Sequence, residues 1–233
     1  MSDEVVKAEW APIADGGFDG WLALPPAGSG PGLLLWQEVF GVNAHIRRVA
    51  EQYALAGFVV LAPDIFWREE RRLDLGYEGA DRERGRAIAQ ALQREQLQAD
   101  IRASVDALRS HPACAGKRVG TIGYCLGGRL AYQTAAWATV DAAVAYYGGG
   151  IQDQLGLLPE ISAPLQFHYA GRDHHIPQAA IEQVRTAVGN AGEVFVYPEA
   201  QHGFNCWARS TYDPASAALA HGRSLVFLAD KLF

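Results

Sequence analysis

The stretch Val119-Gly120-Thr121-Ile122-Gly123-Tyr124-Cys125-Leu126-Gly127-Gly128 decides how the rest of this chain is read. An apolar run ends in Gly-x-Cys-x-Gly, and helix-compatible sequence, Arg129 to Ala138, follows at once. A strand–tight turn–helix junction of this kind strains the backbone of its central residue and aims that side chain outward. Side chains two positions to either side would collide with the neighbouring strand and helix, which accounts for Gly123 and Gly127. A thiol presented there sits at a helix N-terminus, where free N–H groups and the macrodipole favour a thiolate and an oxyanion.

Outward from this elbow, apolar and helical segments alternate. Lys7–Ile13 and Phe18–Leu24 read as antiparallel strands around the turn signal Asp15-Gly16-Gly17. Gly32–Gln37 and Phe58–Ala62 are short apolar runs suited to strands buried on both faces. The helix-period segments are His45–Ala56, Ala80–Leu92 and Gln96–Ser110, the last stopped by His111-Pro112. Beyond the elbow come strands Ala142–Tyr147, Leu165–Ala170 and Glu193–Tyr197, with helices Gln178–Gly189 and Pro214–Leu232. The pattern predicts an α/β fold: a doubly wound, mainly parallel sheet with N-terminal antiparallel strands, formed by residues 1–233 as one domain. Ligand sites in such sheets lie at the carboxyl ends of the strands.

The composition narrows the function. A net charge of −6, with the Arg68–Arg72 and Arg82–Arg86 clusters interleaved with acids, gives no support for nucleic-acid binding. No apolar stretch approaches the ~18 residues of a membrane span, and the first residues, Met1-Ser2-Asp3-Glu4, are unlike a signal peptide. Three cysteines, Cys114, Cys125 and Cys206, argue against a disulfide scaffold and for a reducing compartment, so the expected location is the cytoplasm. Cys114 and Cys206 read as small buried hydrophobes.

A cysteine nucleophile needs a base, and the base an orienting acceptor. Asp173 follows strand Leu165–Ala170 in Gly171-Arg172-Asp173, and His202 follows strand Glu193–Tyr197 in Gln201-His202-Gly203-Phe204. The order Cys125, Asp173, His202 is that of the α/β-hydrolase fold, each residue just beyond a separate strand. His202 takes the thiol proton in this reading, and Asp173 fixes the imidazole tautomer. The adjacent His174 and His175 are rivals for the base, but read as loop histidines; no Cys/His/Asp set at ligand spacing accompanies them, so neither a metal nor a cofactor is expected. The oxyanion donors expected of such a fold are the N–H of Leu126 and, after the strand ending at Gln37, that of Val39.

At these residues the chain resembles the dienelactone hydrolase family. The resemblance is carried by Trp36-Gln37-Glu38-Val39-Phe40-Gly41, Ala62-Pro63-Asp64, Gly123-Tyr124-Cys125-Leu126-Gly127-Gly128, Tyr146-Tyr147-Gly148, Gly171-Arg172-Asp173 and His202-Gly203-Phe204, in family order along nearly the whole chain. It implies that Glu38 contacts the nucleophile in the resting enzyme and helps to deprotonate it as substrate binds; an anion beside sulfur opposes the thiolate until the charge pattern changes. It also implies that an arginine, aligned with Arg82, grips a substrate carboxylate, and that the protein is a monomer. Two departures stand out. The family's serine after the histidine is Gly203 here, and its second arginine, three residues beyond that serine, is absent from that place, leaving Arg209 as the substitute if the loop is longer. The family's substrate-lining tyrosine is replaced at Arg86.

The expected protein is therefore a cofactor-free cysteine hydrolase of lactones or small esters with an anionic substrate, dienelactone being the substrate that the family implies. The alternatives are a broad carboxylesterase or thioesterase of the same family and a non-catalytic ligand-binding protein of the hydrolase fold.

Overall fold

The computed structural model describes residues 5–13 and 17–233. Strands β1 (Lys7–Ile13) and β2 (Phe18–Leu24) pair antiparallel, with Trp10 opposite Trp21. Of the expected turn between them, Asp15 and Gly16 lie outside the described residues, while Gly17 has a φ of +64°. The chain continues through β3 (Gly32–Trp36), α1 (Ala44–Leu55), β4 (Val59–Pro63), α2 (Gly79–Ala91), α3 (Arg94–Ser110) and β5 (Val119–Tyr124). It closes with α4 (Leu126–Trp137), β6 (Ala142–Tyr146), β7 (Leu165–Ala170), α5 (Gln178–Val188), β8 (Gly192–Tyr197) and α6 (Pro214–Leu232).

One sheet runs in the order β1-β2-β4-β3-β5-β6-β7-β8. The six strands from β4 to β8 are parallel to their neighbours, and β2 joins them antiparallel to β4. Every residue of β3, β4, β5, β6 and β7 is buried, as their unbroken apolar runs require of strands covered on both faces. Glycines mark where the covering helices press closest. A Cβ on Gly32 would meet Leu108 of α3 at 2.9 Å, and one on Gly120 would meet Leu232 of α6 at 2.7 Å. Each large apolar side chain in these layers contributes about 1.5–3 kcal/mol by leaving water.

The register sets the site. Trp36 lies opposite Gly123, Tyr124 opposite Tyr146, and Ala170 opposite Tyr197, so the loops leaving β3, β5, β6, β7 and β8 emerge at one edge. From β3 the chain goes on to β4 on one side, and from β5 to β6 on the other. The crevice between β3 and β5 is thus the point where the winding reverses, the expected place for a ligand.

The expected elements differ from the observed ones mainly at their ends. Helix α4 starts at Leu126 instead of Arg129, because the elbow cysteine itself occupies the position before the first helical residue. A 3-10 segment, Gln152–Glu160, fills the connection between β6 and β7; its lone Gly156 and Pro159 gave no periodic signal.

Candidate active site

Cys125 stands between β5 and α4 with φ +57° and ψ −113°, a conformation strained for a residue with a side chain. Its surroundings leave no room for anything but glycine nearby. A Cβ on Gly123 would lie 2.0 Å from the Gly127 carbonyl oxygen, and one on Gly127 2.2 Å from that of Trp36. Gly128 is constrained in the same way by the Tyr146 carbonyl, at 2.4 Å. The turn is tied across the sheet by the Cys125 N–H, which donates to the Tyr146 carbonyl at 3.0 Å. Cys125 is partly exposed, whereas Cys114 and Cys206 are buried.

Asp173 and His202 come from neighbouring loops that are stitched together. The Gly171 N–H donates to Tyr197 at 2.7 Å and the Arg172 N–H to Ala200 at 2.9 Å. A Cβ on Gly171 would press into Pro198, so glycine is what permits this approach. Asp173 Oδ2 then meets His202 Nδ1 at 2.7 Å, with the carboxylate fully buried, and Oδ1 accepts from the His175 N–H at 2.8 Å. Burial would lower the His202 pKa, but the Cys125 sulfur facing it and the Asp173 hydrogen bond outweigh burial and raise it to about 10. The three residues singled out as nucleophile, acid and base are thereby brought into one corner.

Glu38, on the loop after β3, is 1% exposed. Its Oε1 accepts from Arg209 Nη1 at 2.9 Å, while Oε2 has no N–H or O–H donor among the described residues and the Cys206 thiol lies beside the carboxylate. Burial pushes the Glu38 carboxyl above its usual range, against the pull of the Arg209 guanidinium. The resemblance implied a resting contact between Glu38 and Cys125; among the described residues no hydrogen bond joins them, and Arg209 holds the carboxylate instead. The physical reason lies at Gly203, where φ is +81° and a Cβ would come within 2.4 Å of Arg209 Nη1. The guanidinium occupies the volume that a side chain at 203 would fill.

A cavity of about 220 Å³ opens beside His202, lined by Arg82, Arg209, Tyr77, His174, His175 and Gln201 among others. Both candidate arginines therefore reach it, although Arg209 is committed to Glu38. Arg82 gets there through α2, whose Gly85 packs so closely that a Cβ would fall 2.1 Å from the Val39 carbonyl oxygen. Leu126 and Val39 flank the crevice, and the N–H of neither donates to an acceptor among the described residues.

Nothing in the sequence assigns Tyr77 a role, and Tyr147 and His175 have none there beyond the family resemblance and the rivalry for the base. Tyr77 lines the cavity from the segment before α2, and its hydroxyl accepts from Asn43 Nδ2 at 3.0 Å. Tyr147, just past β6, has a φ of +36° and sets its ring 5.0 Å from that of His202. His175, read as a loop histidine, puts its ring edge-on to His202 at 5.1 Å, and burial and the neighbouring His202 lower its pKa.

The sheet order, the elbow and the placement of the loops define an α/β-hydrolase. Among solved structures, a dienelactone hydrolase from Anabaena variabilis matches with a TM-score of 0.72 at 20% identity, over 98% of each chain. A dienelactone hydrolase-like promiscuous phosphotriesterase from metagenomic libraries matches with a TM-score of 0.81 at 20% identity, over 98% of this chain and 99% of that one. At such identities these structures speak for the fold alone. The sequence relatives go further. A carboxymethylenebutenolidase from Pseudomonas putida is 35% identical over 215 residues, 91% of each chain. Carboxymethylenebutenolidase 1 from Cupriavidus pinatubonensis is 31% identical over 217 residues, 92% of each. A model of the dienelactone hydrolase family matches residues 18–232, and the chain belongs to that family.

Proposed function

We propose that this protein is a hydrolase of lactones and small carboxylic esters, a carboxymethylenebutenolidase or close relative, acting through a cysteinyl acyl-enzyme. The observation that carries the reading is the 2.7 Å contact of Asp173 with His202 beside the elbow cysteine. Cys125 attacks the carbonyl carbon and its proton passes to His202. The Leu126 and Val39 N–H groups receive the developing oxyanion. The tetrahedral adduct collapses, the ring C–O bond breaks, and His202 returns the proton to the leaving enolate or alkoxide. Water activated by His202 then attacks the thioester, releasing the acid and restoring the thiol. Asp173 keeps Nδ1 protonated so that the other ring nitrogen faces the thiol.

On this reading the whole chain, 1–233, is one catalytic domain that works as a monomer without a cofactor. Arg82 in the cavity wall supports a substrate bearing an anionic group, with dienelactone converted to maleylacetate as the leading candidate. The three unpaired cysteines support a cytoplasmic location; among the described residues no helix is long and apolar enough to cross a membrane. Gly203 and the engagement of Arg209 by Glu38 favour a second reading, a broader carboxylesterase. Kinetics on cis- and trans-dienelactone beside p-nitrophenyl acetate separate the two. High kcat/KM on a lactone is expected; negligible turnover of both lactones with rapid cleavage of the simple ester sinks the butenolidase assignment.

A further inference from the structure

We propose that Tyr77 sets the size limit of the substrate: its ring is the partition between the catalytic cavity and a second cavity that would otherwise lengthen it. The inference rests on the cavity beside His202 being the substrate site, and adds which side chain decides how large a substrate enters.

The second cavity, of about 200 Å³, lies at the N-terminal end of α1 and is walled by Ala44, His45, Leu75 and Trp207 among others. Tyr77 and Ala208 line both cavities, and no other described residue does so. Ala208 contributes only a methyl group, so the Tyr77 ring is the bulk of the wall. That ring is fixed from several sides. It packs edge-on against Phe40, with ring centres 4.6 Å apart, and its hydroxyl accepts from Asn43 Nδ2 at 3.0 Å. Asn43 is not free to follow a moving ring. Its Oδ1 caps α1 by accepting from the Ile46 N–H at 3.2 Å, and Nδ2 also donates to the Leu75 carbonyl at 3.2 Å. On the catalytic side the Arg209 guanidinium, committed to Glu38, stands 5.8 Å from the ring centre. Turning the ring aside would give up these contacts together, so the catalytic cavity stays closed at about 220 Å³.

What lies behind the partition suits an uncharged chain. His45 is 5% exposed, its Nδ1 is buried with no hydrogen-bond partner among the described residues, and its ring stands edge-on to Trp207 with centres 4.2 Å apart. Burial, with Arg209 and Arg48 nearby, lowers the His45 pKa to about 4, so this wall is neutral near pH 7. The charged groups at this cavity belong to exposed residues, Arg48 and Asp74, and Asp74 is paired with Arg47 at 2.9 Å. An aliphatic acyl or alkyl chain is what these walls would take if Tyr77 were removed. Each methylene moved from water into such a space favours binding by about fourfold.

The test compares kcat/KM on p-nitrophenyl acetate, butyrate and hexanoate, and on methyl, butyl and hexyl acetate, so that growth on either side of the carbonyl is read. The wild type is expected to lose at least about tenfold from the shortest to the longest ester in one of the two series. In that series Tyr77→Ala should raise the long-to-short ratio by at least about tenfold over the wild type, whereas Tyr77→Phe, which keeps the ring, should leave it unchanged. Tyr77→Leu, shorter and apolar, carries the same expectation should Tyr77→Ala not fold. Trp207→Ala behind an intact partition should keep the wild-type ratio, and Tyr77→Ala/Trp207→Ala should shift the preference still further toward the longest ester. A wild type that cleaves the longest esters as well as the shortest in both series overturns the proposal. So does a Tyr77→Ala whose kcat/KM changes by the same factor for every ester. Brisk wild-type turnover without size selection sinks the partition alone; no wild-type turnover of any ester or of dienelactone sinks the hydrolase reading and the proposal with it.

Discussion

Gly203 and Arg209 share one volume: the position of a Cβ on residue 203 lies 2.4 Å from the Arg209 guanidinium. Because Gly203 also holds a φ of +81°, alanine there meets both a strained backbone and an occupied space. Gly203→Ala should therefore lose about 1–3 kcal/mol of stability. Urea unfolding of this variant beside Gly222→Ala, a helix position where a Cβ meets nothing within 4 Å, measures the difference.

The Asp173 side chain is fully buried against His202, so an isosteric change tests its role with little disturbance of packing. Asp173→Asn keeps the shape but presents the wrong hydrogen-bonding group to Nδ1. We expect kcat on p-nitrophenyl acetate to fall about 10³–10⁴-fold. A fall of less than about tenfold would mean that the imidazole is oriented by something else.

His202 carries a pKa of about 10 in the folded protein against an ordinary 6.5. The proton is thus held more tightly when folded, and the associated stability is fully present below about pH 6.5 and is lost as the pH climbs through about 10. Melting temperatures should fall between neutral pH and pH ~10, and fall less in Cys125→Ala, which lacks the sulfur that raises His202. Equal slopes in the two proteins would remove the sulfur as the cause.

His168 behaves in the opposite sense. It is completely buried between Tyr197, Gln166 and Ser224, at 2.8, 2.8 and 3.0 Å, and burial lowers its pKa to about 3. The unfolded chain binds this proton more readily, so the contribution of His168 is present above about pH 6.5 and declines as the pH falls toward 3. Acid unfolding followed by circular dichroism should be shallower in His168→Gln than in the wild type.

Gly85 lets α2 settle against the Val39 carbonyl, with 2.1 Å to a hypothetical Cβ. Gly85→Leu should lift the helix, shift the Val39 N–H and carry Arg82 outward. A drop of about 10–100-fold in kcat/KM is expected for lactone and ester alike, with a loss of about 1–3 kcal/mol of stability from the overpacked contact. Unchanged kinetics would mean that the loop after β3 is not positioned by α2.

Much of this was legible in the chain itself. The buried strands were readable because a strand covered on both faces has no polar alternation to confuse it, and β7 was found to the residue. Cys125, Asp173 and His202 stood out through their glycines and their order. What escaped depends on contacts between remote segments. Arg209 and Glu38 are 171 positions apart, and nothing local to either announces that the arginine crosses over Gly203. The value of Gly85 likewise exists only once α2 lies on Val39. Arg82 was reached through the family resemblance, yet only the packed structure shows the histidines that share its cavity.

The two hydrogen bonds that join the loops after β7 and β8 make the Asp173 and His202 supports a single piece, fastened at its base. The turn at the far end of α5, Gly189–Ala191, lies away from that fastening. A lid, a binding module or a new pair of chain ends grafted at Gly189–Ala191, where Gly189 has open space around it, would leave the spacing of acid and base untouched. The scaffold thus keeps the joint that must stay fixed for chemistry apart from a turn, Gly189–Ala191, that has room for an insertion.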